Sequence, residues 1–299
     1  MSVLLGADPE LFAFKDGKPV SVHNLLTGDK RNPQPVDEGA VQVDGTAAEF
    51  NILPTDSEEV FVNRIIKVRK NIESIIQSVD KNVVLRSVPA VHFDKEYWDS
   101  IPTANKELGC DPDYNAYTGL ENQIVPEEKR MGFETMRTGS GHIHIGWRNP
   151  KEPFQDDIDR LNHFVDCRVI TMLLDHVILP FEKFWDGDKD RRKLYGKPGA
   201  FRPKPYGCEY RVLSNAWVDQ PDVAGLLFRV ITDLVNQVKN KNFTIRQMED
   251  GSISLENSES ITGRFHFNRY IGSYDTYAMS NNSPIWKMRD FFKGKKPLV

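Results

Sequence analysis

In the stretch SGHIHIGW, residues 140–147, imidazole and isoleucine side chains alternate. Successive side chains of an extended chain point to opposite faces, so His142 and His144 share one face while Ile143 and Ile145 share the other. The same period of two recurs at three distant places. GADPELF sets Asp8 and Glu10 on one face with Gly6 before them, AEFNI sets Glu49 and Asn51 opposite Phe50 and Ile52, and CEYRV sets Glu209 and Arg211 opposite Tyr210. Each predicts a strand with one apolar and one charged side. If these charged sides converge on one sheet, they form a carboxylate-rich floor with imidazoles and an arginine upon it.

Elsewhere the period changes. Val60, Ile65, Val68, Ile72, Ile75 and Ile76 recur at helical spacing behind the acids of DSEEV, which predicts an amphipathic helix over 56–79 covering one side of a sheet. A second helix is expected over 155–185, with a bend or an end near Pro180, and a third over 223–240. Asp44-Gly45 signals a tight turn between two strands, and NVVLRSVPAVHF reads as extended. Residues 96–136 are rich in Pro, Gly and Asn without a period and are expected to be a long irregular excursion framing a site. Residues 187–207 read as a basic, Gly- and Pro-punctuated loop. No internal repeat is visible. The pattern as a whole predicts a mixed chain of strands and long amphipathic helices, at least one helix covering one side of a sheet.

Composition narrows the function classes. At 299 residues the chain can bury a substantial core, and 39% apolar with 27% charged residues is ordinary for a folded protein. A net charge of -4 makes binding to intact nucleic acid an unfavoured expectation. Cys110, Cys167 and Cys208 are widely spaced and odd in number, which suits a reducing cytoplasm better than a disulfide framework. The N-terminus reaches Asp8 and Glu10 too early for a signal peptide, and no apolar run approaches a membrane span. The expected location is therefore cytoplasmic, with no membrane partner.

Several carboxylates on one face repel one another and lose hydration, so they call for cations. Magnesium or manganese fits best: both take carboxylate oxygens and keep waters that phosphate oxygens can replace, and a histidine leans the choice toward manganese. Zinc has no short ligand spacing here. Arg211 has two readings, a structural partner of Glu209 or a fork for phosphate oxygens. Arg191, Arg192, Lys193, Lys197 and Arg202 in the basic loop add density suited to a polyanion, Arg202 being the favoured contact. Gly139 and Gly141 belong to neither a P-loop nor a dinucleotide fingerprint, and Ser140 lacks a nucleophile elbow. Cys208 faces away from Glu209 and is expected in the core.

Four blocks, GADPELF, VDGTAAEFNILP, SGHIHIGW and YGKPGAFRPKPYGCEYRVLSNAW, resemble in order and spacing the glutamine synthetase-like carboxylate-amine ligases, which include glutamate-cysteine ligases. The chain most resembles the phage-associated branch called COOH-NH2 ligase type 2, so a phage-encoded copy would act in the host cytoplasm. The resemblance implies one α+β catalytic domain over 1–299, built on an antiparallel sheet that forms an open funnel with helices on its outer face. It implies metal ligands Asp8, Glu10, Asp44, Glu49, His142 and Glu209, with Asp8 standing where the family has a longer glutamate. It implies that Glu209 and Arg211 bind metal and stabilise the transferring phosphate; from the charge of the basic loop and the shared strand face, Arg202 is expected to join them in catalysis, and ATP contacts are expected from Arg211, Arg202, Lys197, Arg192 and His144. The implied chemistry uses ATP and Mg2+ or Mn2+. A substrate carboxylate takes the γ-phosphoryl group, ADP leaves, and an amine displaces phosphate from the acyl phosphate to give an amide. Glu134 and His144 are the candidate bases for the amine. The carboxylate is expected to be a small molecule or a peptide, its identity and that of the amine being open, as is a homo-oligomer. Alternatives are a phosphotransferase like the guanidino kinases, a divalent-metal phosphoesterase, and a non-catalytic phage structural or binding protein.

Overall fold

A computed structural model describes residues 2–106, 113–122, 132–239, 244–247, 252–256, 263–266 and 284–298. Cys110 and parts of the 96–136 excursion lie outside them. The strands of the main sheet are β1 (Leu4–Lys15), β2 (Lys18–Val20), β3 (Gln34–Val36), β4 (Gly39–Asp44), β5 (Ala47–Ile52) and β6 (Val83–Arg86). A two-stranded ribbon joins β7 (Ala90–His92) to β9 (Met136–Thr138), while β8 (Tyr114–Asn115), β10 (Gly141–Gly146), β11 (Ala200–Lys204) and β12 (Gly207–Tyr210) return to the main sheet. Its order is β3-β4-β5-β1-β10-β12-β11-β8, with β2 and β6 also paired to β1, and every pairing is antiparallel. A separate sheet holds β13 (Thr244–Gln247), β14 (Ser252–Glu256) and β15 (Gly263–His266).

The helices are α1 (Glu58–Val79), α2 (Lys95–Ser100), α3 (Asp157–Glu182), α4 (Arg191–Leu194), α5 (Pro221–Lys239) and α6 (Pro284–Phe292). Ser57 caps α1 by accepting from the Val60 N–H, and Glu58 and Glu59 lie at its positive end. Its buried stripe is Phe61, Ile65, Val68, Ile72 and Ile76; Val60, expected inside, is exposed, and Phe61 takes its place. Helix α3 carries Pro180 in its last turn and stops at Glu182, as that proline leads one to expect.

Alternation sorts the sheet into two faces. Leu5, Ala7 and Leu11 of β1, Phe50 and Ile52 of β5, Ile143 and Ile145 of β10, and Cys208 and Tyr210 of β12 join the buried stripes of α1, α3 and α5 in one apolar core. Cys208 lies there fully buried, as expected from its position beside Glu209. On the other side Phe12 and Phe14, farther along β1, pack with Val91, Phe93, Trp98 and Ile101 in a second cluster. That cluster leaves the first half of β1 and its neighbours with a charged face.

Two segments differ from expectation. The excursion is partly ordered, since α2, a turn of 3-10 helix at Thr103–Asn105, β8 and β9 all fall within it. The basic segment 187–207 contains α4 and a true sheet strand, β11, paired to β12 from Phe201↔Tyr210 to Lys204↔Gly207. Pro198, Pro203 and Pro205 suggest a loop, yet β11 needs only the short run Ala200–Lys204, and sheet pairing overrides its weak local signal.

Gly139 and Gly141 pack rather than cradle. A Cβ on Gly141 would stand 2.3 Å from the Ser214 carbonyl oxygen and 2.5 Å from the Trp217 indole nitrogen, and one on Gly139 would stand 2.4 Å from the Asn215 amide. The turn at 214–217 therefore presses directly on the strand that carries His142, and the Trp217 indole N–H donates to the Gly141 carbonyl at 3.1 Å.

Candidate metal centre

Register converts four separate sequence patterns into one surface. Asp8 lies opposite His142, Gly6 opposite His144, His144 opposite Glu209, and Glu209 opposite Arg202. On the far side of β1, Glu10 lies opposite Glu49, which in turn faces Gln42 of β4. Asp44 ends β4 at the hairpin turn, where Gly45 takes the positive φ that such turns demand.

Asp8, His142 and Glu209 form the centre of this surface, with one potential ligand atom of each lying within 4.8 Å of the others. His142 Nδ1 stands 3.6 Å from Asp8 Oδ1 and 3.5 Å from Glu209 Oε1. These gaps are long for hydrogen bonds. They resemble the ~3.0–3.4 Å between neighbouring ligands of an ion with ~2.1 Å bonds, slightly opened. Asp8 Oδ1 and His142 Nε2 are buried without a hydrogen-bond partner. Two carboxylates and an imidazole, with buried polar atoms left over, suit a hard divalent cation, and the three residues could coordinate Mg2+ or Mn2+.

The electrostatics agree. Burial, then the charge of Arg211, pushes His142 down to about 3, so its ring is neutral and has a lone pair to give. Burial opposes ionisation of Asp8, but the charge and close approach of His144, with His142 nearby, outweigh it and hold the carboxyl below the usual range. His144 Nε2 lies 3.0 Å from Asp8 Oδ2, and its Nδ1 meets the Tyr206 hydroxyl. The neighbouring acids behave oppositely. Burial and the charge of Asp44 push Glu10 up to about 8 against the Ser140 N–H that it accepts at 2.8 Å. Burial and the charges of Asp8, Asp44 and Glu10 push Glu49 well above the usual range, and burial also raises Asp44, although that residue is exposed at the rim. Acids that keep their protons from crowding are acids a cation would ionise.

Cations flank the other edge. Glu209, 1% exposed, meets Lys204 Nζ at 2.9 Å and Arg202 Nη1 at 3.3 Å through one oxygen, and Arg211 through the other. Arg211 is held further by Asp113 at 3.1 Å and by the Tyr195 hydroxyl.

The comparisons with known proteins add little. No family model matches the chain, and no curated protein matches it in sequence. Among solved structures, the chain is similar to Plasmodium falciparum glutamine synthetase at 13% identity and a TM-score of 0.41, over 99% of this chain and 64% of that one. It therefore spans less than two thirds of that protein's length.

Several expected residues have other partners or face solvent. Arg192 pairs with Glu182 of α3 at 2.7 Å, and Lys197 is exposed in the turn before β11. Glu134 is exposed and accepts from the Gly132 N–H of its own loop. Arg191, also in the basic loop, is buried and donates to the Val212 and Leu213 carbonyls at 2.8 and 3.0 Å. Conversely, Lys204, Tyr206 and Asp113 touch site residues and were not anticipated. For Lys204 a signal existed: FRPK alternates, and Lys204 is two residues from Arg202.

Among the described residues no helix is long and apolar enough to cross a membrane.

Proposed function

We propose that the protein is an ATP-dependent carboxylate-amine ligase that works through an acyl phosphate, the whole chain forming one catalytic unit and the sheet lining an open funnel. The observation that supports this best is the juxtaposition on one sheet face of the triad Asp8, His142 and Glu209 with the cations Arg202, Lys204 and Arg211. Acids on one flank and guanidinium groups on the other suit a substrate that brings both a metal and phosphates. Asp8, His142 and Glu209 would hold one divalent ion, and Glu10, Asp44 and Glu49 would supply ligands to any further one. Such an ion would withdraw charge from the phosphate oxygens.

The chain's own groups then have distinct tasks. Arg211 is rigidly placed by Asp113 and Tyr195, so its fork would be preorganised to receive charge that grows on the transferring phosphoryl group. Arg202 would bind the phosphates from β11. His144, fixed by Tyr206, would steady Asp8 and flank the nucleotide. A substrate carboxylate oxygen attacks the γ-phosphorus, the bond to ADP breaks, and an amine nitrogen then attacks the activated carbonyl. Phosphate departs and the amine gives up a proton.

Hydroxylamine trapping tests the reading. With Mg2+ or Mn2+, ATP and pooled carboxylates, a hydroxamate should form with stoichiometric ADP and phosphate, and Glu209→Gln should abolish it. AMP would indicate adenylation, a phosphorylated acceptor a kinase, and phosphoester cleavage without ATP a phosphoesterase. Any of these would replace the ligase reading.

A further inference from the structure

Glu209 is crowded with positive charge. A carboxylate that is 1% exposed needs compensation, and three cations provide it in the structure. The same carboxylate is one of the three groups that could hold a divalent ion. Both arrangements cannot hold at full strength, because an ion at Glu209 would stand beside three like charges.

The three cations differ in their freedom to move. Arg211 has a side chain 4% exposed and is tied to Asp113 and Tyr195. Arg202 is 19% exposed and carries a planar fork. Lys204 is 27% exposed, the most of the three, and ends in a compact ammonium on a flexible stem. Its main chain is anchored independently, since the carbonyl oxygen bonds the His163 ring at 2.8 Å. Only the side chain has to swing.

Resting on the metal-centre reading, we propose that Lys204 is an exchangeable counter-ion: it neutralises Glu209 when no divalent ion is bound and transfers to a phosphate group when metal and polyphosphate arrive together. Metal alone must then displace the ammonium from Glu209 without offering it another anion. Polyphosphate alone must pull it away and leave the carboxylate less compensated. Together each supplies what the other removes, so the two ligands bind in concert, and the linkage is reciprocal. The site thereby favours the metal–nucleotide complex over either component.

The test is equilibrium binding, with no turnover needed. Mn2+ affinity without nucleotide is measured by electron paramagnetic resonance for the wild type, Lys204→Met and Lys204→Arg, and MgATP affinity is measured by calorimetry on the same proteins. Lys204→Met should bind Mn2+ alone about tenfold more tightly and MgATP about tenfold more weakly, opposite shifts that a merely structural lysine does not produce. Lys204→Arg, which keeps the charge, should stay near wild type for Mn2+. Equal or weaker Mn2+ binding by Lys204→Met, or unchanged MgATP binding, overturns the exchange while leaving the metal centre intact. A wild-type protein that binds neither Mn2+ nor MgATP overturns the metal-centre reading and the exchange with it.

Discussion

At the scale of single residues, the protonation of Glu10 gives the most direct handle on the metal-free site. Its carboxyl is pushed up to about 8 from an ordinary 4.5, by burial first and by Asp44 second. Between those values the folded chain holds a proton that the unfolded chain has released. The corresponding stability is fully present below about pH 4.5 and is lost as pH rises through 8. Thermal melts in EDTA should therefore show a falling midpoint across this window, and Glu10→Gln should flatten the fall. On the proposed reading, in which Glu10 supplies a ligand to a further ion, a cation would replace the proton, so Mn2+ should restore stability most at the alkaline end. A midpoint that rises with pH in EDTA, or is unchanged by Glu10→Gln, contradicts this account of the acids.

Residue chemistry on the strands was legible because a period of two leaves no choice of face: once GHIHIG is extended, His142 and His144 must lie together. Adjacency was not legible, since Asp8, His142 and Glu209 meet only through the pairings of β1 with β10 and β10 with β12. The partner of Arg192 was illegible for a related reason. Local basic density in the sequence says nothing of the buried acid, Glu182, that α3 brings to it.

At the scale of elements, β10 is held in place from behind by a turn that only glycine admits. Gly141→Ala would push a methyl group into the Ser214 carbonyl, a backbone atom that cannot step aside cheaply. Overpacking of this kind costs about 1–3 kcal/mol, to be read as a lowered denaturation midpoint with unchanged slope. Unaltered stability would show that the 214–217 turn does not press on the strand. The helix side contributes a second brace: Asp175 of α3 accepts from the Tyr210 hydroxyl at 2.7 Å, the Tyr117 hydroxyl at 3.0 Å and the Gly199 N–H at 2.6 Å. One buried carboxyl thus ties β12, the segment after β8 and the entry to β11 together beneath the site. The three long helices could be read from periodicity and capping signals, whereas β11 could not, because five residues containing a proline carry too little pattern to outweigh their Gly and Pro flanks.

At the scale of the whole molecule, the mix of strands and helices followed from periods of two and about 3.6, and each charged strand side from alternation, while the strand order that joins those sides into one face required the fold. The central claim is that Asp8, His142 and Glu209 hold a divalent ion. The most direct measurement is a Mn2+ titration followed by pulsed electron paramagnetic resonance, which detects 14N coupled to the bound ion. The account predicts a tight Mn2+ coupled to one histidine nitrogen, with coupling lost and affinity reduced at least about tenfold in His142→Gln. A protein that binds no Mn2+ tightly, or a nitrogen coupling that survives in His142→Gln, would contradict it.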